Sequence, residues 1–116
     1  MTAPKEAPRL AFFILLRALP AWLALPREQR RTAWQTDALA QALSDPDRLS
    51  TRFFDAEAFT ARCSDILLVE TRDIDSQNDF MEALRDSPVF AEPYFELVDI
   101  LPAMEDGFQR YEARRG

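Results

Sequence analysis

Leu10-Ala-Phe-Phe-Ile-Leu-Leu16 is apolar at every position. Side chains alternate along a strand, so Ala11, Phe13 and Leu15 share one face and Leu10, Phe12, Ile14 and Leu16 share the other. A half-solvated antiparallel strand would alternate apolar with polar residues. This stretch therefore predicts a strand covered on both faces, by helices on one side and by a second copy of the chain on the other.

Working outward, Met1–Arg9 reads as a flexible lead-in and residues 10–116 as a single domain. Lys5 and Arg9 before an apolar run superficially resemble a secretory leader. Arg17 and Pro20 break that run and lead into a helical pattern, so the strand reading is preferred. No apolar segment reaches the length that spans a bilayer. Pro20-Ala-Trp-Leu-Ala-Leu-Pro26 is a proline-bracketed connector, and Pro26 suits the first position of a helix running to about Leu43. Thr32, Thr36, Leu39 and Leu43 supply its helical spacing, and Ser44-Asp45-Pro46-Asp47 ends it as a turn.

Thr51–Phe59 reads as a second strand and Ile66–Arg72 as a third. On the third, Ile66, Leu68, Glu70 and Arg72 face one way and Leu67, Val69 and Thr71 the other. A helix follows Asp73, with Ser76 and Asp79 spaced as a capping pair. Phe80, Ala83, Leu84 and Ser87 form its buried stripe, and Pro88 stops it. Tyr94–Leu101 is the fourth strand, ended by Pro102, with Phe95, Leu97, Asp99 and Leu101 on one face. Met104, Phe108 and Tyr111 recur at helical spacing, which predicts a last helix over Glu105–Ala113. The order is β-α-β-β-α-β plus a C-terminal helix, an α+β ferredoxin-like arrangement. Strands one and three are then central and one sheet face is left bare. That predicts a homodimer through the sheet face, as in dimeric α/β barrels.

Composition narrows the chemistry. The 116 residues carry a net charge of −6, which argues against binding nucleic acid. With no histidine, Ser-His-Asp and Cys-His catalysis and His-based metal or haem ligation are excluded from this chain. The single cysteine, Cys63, rules out an internal disulfide, lacks a base partner and reads as an ordinary buried thiol. Gly107 and Gly116 are the only glycines, so no Gly-rich phosphate loop exists. No metal site, no cofactor and no membrane association are expected, and a cytoplasmic location is the simplest reading.

Several stretches together resemble the darcynin family of small bacterial proteins. They include Phe13-Ile-Leu-Leu16, Pro20–Pro26 followed by Arg30-Arg31, Arg52-Phe-Phe-Asp-Ala-Glu-Ala-Phe59, and Ser64-Asp65. Glu70-Thr71, Glu82–Asp86, Pro93-Tyr-Phe95, Asp99-Ile100 and Glu105-Asp-Gly-Phe108 complete the likeness, which spans nearly all of Phe12–Glu112. The Asp45–Leu49 region fits least. The resemblance implies no catalytic residue, because the family has no established activity.

Polar residues in line with apolar strand positions are the site candidates, since burying them without partners is costly. Arg17 lies in line with Phe13 and Leu15, Glu70 with Leu68, and Asp99 with Leu97 and Leu101. An Arg17–Asp99 pair, or failing that Arg17–Glu70, is expected between neighbouring strands. A satisfied ion pair is the bland reading of these residues and a ligand pocket the sharper one. Tyr94 and Trp22 join them as ligand-binding candidates, although each also reads as a core or rim residue. Arg30-Arg31 reads as a solvated helix face. Two functions result. The first is a dimeric small-molecule-binding or structural protein without catalysis. The second is a metal-independent monooxygenase- or isomerase-like enzyme acting on an aromatic or polyketide-like compound. The missing histidine favours the first.

Overall fold

The computed structural model describes residues 6–115. Strand β1 (Leu10–Ala18) is followed by two short helices, α1 (Pro20–Leu23) and α2 (Arg27–Arg30), a 3-10 turn (Thr32–Trp34) and α3 (Asp37–Ala42). Strands β2 (Leu49–Asp55) and β3 (Asp65–Thr71) form a hairpin. Then come α4 (Ile74–Asp86), α5 (Pro88–Ala91), β4 (Phe95–Met104) and α6 (Gly107–Arg115). The sheet order is β2-β3-β1-β4 with every neighbouring pair antiparallel. This is the split βαβ arrangement with β1 and β3 central. Of the lead-in expected over residues 1–9, residues 6–9 are described. The Arg9 carbonyl accepts from the Glu105 N–H at 2.9 Å, and Arg72 and Arg110 donate to the carbonyls of Ala7 and Glu6.

The two faces of β1 meet different surroundings. Ile14 and Leu16 are fully buried against the helices, in a core with Leu39, Leu49, Leu67, Val69, Phe80, Leu84, Val89 and Phe95. On the outer face Leu15 is covered by Ala56, Cys63 and Ile66 from the β2–β3 hairpin and its loop. Phe13, two residues back, is left 36% exposed. The helix-side face of β3 is as expected: Leu67, Val69 and Thr71 are all buried. Thr71 Oγ1 donates to the Arg48 carbonyl at 2.6 Å and accepts from the Asp73 N–H at 3.0 Å. One buried hydroxyl thus ties the start of β2 to the start of α4.

Several expectations are corrected. The continuous helix over 26–43 is broken into α2, the 3-10 turn and α3. Thr36 caps α3 by accepting from the Leu39 N–H at 3.2 Å, the local side-chain bond that draws threonine to helix starts rather than interiors. Trp22, expected in a connector, lies in α1, and Val89 and Phe90 lie in a further short helix, α5. Helix α4 is capped by Asp73 rather than Ser76. The Asp73 carboxylate accepts from the Asp75 N–H and the Ser76 hydroxyl, and Arg48 donates to it at 2.8 and 3.0 Å. Those Arg48 and Ser76 bonds hold the Asp73 pKa below its ordinary value. β2 ends at Asp55 rather than Phe59. β4 runs through Pro102 to Met104, because β4 is an edge strand and a missing N–H on the open side breaks no ladder bond.

A register shift opposite Leu15 and Leu16 separates Leu97 from Asp99: Leu97 pairs with Leu16, but Asp99 pairs with Leu15. Directly opposed residues share a face, so Phe95 and Leu97 belong to the helix side while Asp99 and Leu101 belong to the outer face. The single face expected for these four is split by the bulge.

Replacing Leu16 by Ala removes fully buried methyl groups from the middle of this core. Urea denaturation should show a loss of about 2–5 kcal/mol. Leu23→Ala, at a 61% exposed position, should change stability by less than about 0.5 kcal/mol. Equal losses would contradict the assignment of the core.

Candidate functional site

The break between α2 and α3 turns Trp34 back onto the sheet. Its ring lies 5.7 Å from Phe95 and meets Phe53 edge-on at 5.6 Å, centroid to centroid. Trp22, carried by α1, packs on Phe95 at 4.7 Å and on Tyr94 at 5.8 Å. Such tilted and edge-on contacts suit the quadrupoles of aromatic rings. The result is a continuous run of rings, Tyr94–Trp22–Phe95–Trp34–Phe53, along one end of the sheet.

Trp22, Trp34, Phe53 and Phe95 wall a cavity of about 430 Å³, whose edge carries Arg30, Arg31, Asp55 and Asp65. That volume lies in the range of small-molecule sites, which combine mostly apolar walls with a few convergent polar groups. Arg30 sits over the Trp22 ring at 5.6 Å. Its Nε and Nη2 donate to the carbonyls of Leu25 and Leu23 at 3.2 and 3.3 Å, which fixes the guanidinium in place without neutralising it. Among the described residues neither Arg30 nor Arg31 is ion-paired. Two cations therefore stand beside an aromatic wall with their charge uncompensated by a carboxylate contact.

Asp55 and Asp65 are directly opposed across the β2–β3 hairpin. Like charges in that position repel. Asp65 is the better buried of the two, and its pKa is pushed above the ordinary value, first by burial and then by Asp55. The Ser64 hydroxyl, donating to Asp65 Oδ2 at 2.8 Å, opposes that rise. A carboxyl raised in this way holds its proton to higher pH than a surface aspartate, and the cavity gives it something to face.

The residues expected to form a site are dispersed. Trp22 lines the cavity and Tyr94 lies behind it. Arg17 is opposed by Glu96 in the β4 register, and its guanidinium donates to the carbonyls of Arg62 and Ala61 at 2.6 and 3.5 Å. Asp99 sits opposite Leu15 with a carboxylate oxygen on the Ile100 N–H at 2.8 Å. Glu70 pairs with Arg52 at 3.2 Å and lies opposite Ala11, six residues along β1 from Arg17, or about 20 Å at strand spacing. Neither expected Arg17 pair forms, because the register places both carboxylates elsewhere. Cys63 is buried against Leu15 and Ala56.

Sequence reasoning missed Trp34, Arg30, Arg31, Asp55 and Asp65 as a group. The available signal was the position of Asp55 and Asp65 at facing strand ends, which becomes a pair only once the hairpin register is known. Among the described residues, no group of three or more potential ligating side chains is placed to hold a metal, and no helix is long and apolar enough to cross a membrane.

A family model described as "Darcynin, domain of unknown function" matches residues 1–116. A protein named Darcynin from Chromobacterium violaceum is 57% identical over 63 residues, covering 54% of this chain and 80% of its own. A darcynin homolog from Streptomyces avermitilis is 33% identical over 110 residues, covering 95% of this chain and 90% of its own. Among solved structures, the R173K mutant of chlorite dismutase from Candidatus Nitrospira defluvii superposes with a TM-score of 0.69 at 18% identity. That match covers 97% of this chain and 47% of the chlorite dismutase, so this chain spans about half of its length. The dimeric chlorite dismutase of Nitrobacter winogradskyi gives a TM-score of 0.66 at 21% identity over 87% of this chain and 60% of that one. At these identities the likeness is one of fold.

Because the Asp65 pKa is raised on folding, the protonated form is the one folding favours. Its stabilising contribution is present at acidic pH and is lost as pH rises from the ordinary carboxylate value through the raised one. Asp55→Asn removes the opposing charge, so it should raise the melting temperature at neutral pH. The gain should shrink towards zero in acid, where Asp65 of the wild type holds its proton. Melting curves across that pH range check this; a gain that does not vary with pH would contradict the coupling.

Proposed function

This chain belongs to the darcynin family, and we propose that it is a small-molecule-binding protein whose ligand is a planar aromatic compound carrying an anionic group. The observation that carries this reading is the cavity of about 430 Å³ walled by Trp22, Trp34, Phe53 and Phe95, with two arginines at its edge that form no ion pair among the described residues. A ring inserted between these walls removes roughly 150 Å² of apolar surface from water, worth about 4 kcal/mol. That alone supports binding near the millimolar range. A charge-assisted bond to a guanidinium adds about 1.5–3 kcal/mol and moves the affinity towards micromolar. Arg30, held over Trp22 by two carbonyls, is already ordered, so little side-chain entropy is lost when an anion arrives. Asp55 and Asp65 on the same rim would accept from a hydroxyl or N–H on the ring.

The second reading is a metal-independent isomerase- or monooxygenase-like enzyme, and one observation favours it. Asp65, with its raised pKa beside Asp55, is suited to hold or take a proton next to a bound ring. On that reading Asp65→Asn abolishes turnover while leaving ligand affinity within a few-fold.

Trp22 and Trp34 are the only tryptophans in the chain and both line the cavity, so their fluorescence reports directly on its occupant. Titration with benzoate- or indole-type carboxylates should change the emission saturably, and the matching cyclohexane carboxylates should bind at least about tenfold more weakly. Trp34→Ala should weaken binding by tenfold or more, as expected for loss of about 1.4 kcal/mol or more of ring contact. Arg31→Ala should weaken binding of the carboxylates but not of their uncharged amides. Equal binding of the aromatic and saturated acids, or indifference to Trp34→Ala, would overturn the reading.

A further inference from the structure

The rim of the aromatic cavity carries charge of both signs, and each sign comes from its own part of the chain. Arg30 ends α2 and Arg31 follows it directly, whereas Asp55 ends β2 and Asp65 begins β3. The strand register places the two carboxylates. Phe53 opposes Leu67 and Asp55 opposes Asp65, and strand residues two apart share a face. Leu67 belongs to the helix-side core. Phe53, Asp55 and Asp65 therefore stand on that same face, with the carboxylates one strand repeat, about 7 Å, beyond Phe53. The run of rings Trp22–Phe95–Trp34–Phe53 thus has Arg30 over its first ring, at 5.6 Å, and the aspartate pair just past its last. Among the described residues no ion pair joins the two ends.

We infer, resting on the aromatic anion proposed above as ligand, that the ligand is an aromatic amino acid in the wide sense: a ring with its acid group at one end and an amine at the other. The acid meets the Arg30–Arg31 end and the ammonium meets Asp55 and Asp65. The carboxylate end is suited to a cation. Like charges directly opposed across two strands repel, and the Asp65 carboxyl is held above its ordinary value, first by burial and then by Asp55, with Glu57 adding to the negative field. An ammonium set between the two aspartates removes that repulsion and allows Asp65 to release its proton. A neutral hydroxyl relieves neither. A ligand with one charge alone leaves the far end of the rim unmet or opposes it, because the arginines repel a bare cation and the aspartates a bare anion. A zwitterion satisfies both ends at once. The volume of about 430 Å³ sits low in the range of small-molecule sites, roughly 300–1,000 Å³, which suits a single ring with short arms.

Titrations at neutral pH, followed by the emission of Trp22 and Trp34, separate the contributions of the two charges. The probes are para-(aminomethyl)benzoate and para-(aminoethyl)benzoate, set against para-toluate, which lacks the amine, and para-methylbenzylamine, which lacks the acid. At least one of the two amino acids should bind about fivefold or more tighter than either single-charge compound, as a charge-assisted contact at a partly exposed rim supplies. Phenylalanine, with both charges at one end of its ring, should not share that advantage. The double variant Asp55→Asn/Asp65→Asn keeps the shape of both side chains and should lose the advantage over para-toluate, with its circular dichroism unchanged. Binding of para-toluate or para-methylbenzylamine as tight as that of the amino acids overturns the inference, as does an advantage that phenylalanine shares or the double variant keeps. In those cases para-toluate still binds or the cavity still takes a ring, so the aromatic site stands. Failure of the amino acids and para-toluate alike removes both readings together.

Discussion

Everything in this fold depends on β1 being hydrogen-bonded on both edges. With β3 on one side and β4 on the other, its backbone groups are satisfied only inside the sheet. Its side chains then stand on the two sheet faces, and those of Ile14 and Leu16 are at zero exposure under the helices, in a segment that carries no polar residue before Arg17. The helices are recruited by one face. On the other, the β2–β3 loop brings Ala56 and Cys63 over Leu15 and stops before Phe13. The asymmetry of the molecule, one thick face and one thin, follows from how far that loop reaches.

The cavity is a by-product of the same constraint at the opposite layer. A single helix from Pro26 to Leu43 would carry its apolar stripe flat across the sheet. The 3-10 turn and the Thr36 cap instead give a stepped crossover, and Trp34 drops into the step against Phe53 and Phe95. Because α1 places Trp22 on the other side of Phe95, the step is walled by rings on both flanks. Arg30 completes it, its guanidinium held by backbone carbonyls of the preceding turn. A site assembled from one broken crossover and one hairpin end puts opposite charges on one rim without letting them neutralise each other.

Much of the architecture was legible in the residues. Two-sided apolarity identified the central strand, the alternation of Leu67, Val69 and Thr71 identified the buried face of β3, and the element order gave the topology. What failed were features decided by register and local hydrogen bonds. No residue in Phe95–Leu101 announces the bulge that separates Leu97 from Asp99, since it is a property of pairing rather than of composition. Pro102 looked like a terminator because the rule about proline concerns N–H groups that point into a sheet, and at an edge strand that N–H can face outwards. The site was least legible. Arg17, Glu70 and Asp99 stood out as charges among apolar neighbours, yet each is satisfied locally. Asp55, within the strand read over Thr51–Phe59, and Asp65, just before the next, are ten residues apart in sequence, and only the hairpin register brings them together.

Native mass spectrometry of the protein purified from its own host tests most directly whether the aromatic cavity is occupied in use. The wild-type chain should carry a bound compound of small mass with an aromatic absorption spectrum, released on denaturation and absent from Trp34→Ala prepared in the same way. A wild-type chain at its bare mass that also fails to take up added aromatic carboxylates would contradict the account, as would an adduct that Trp34→Ala retains unchanged.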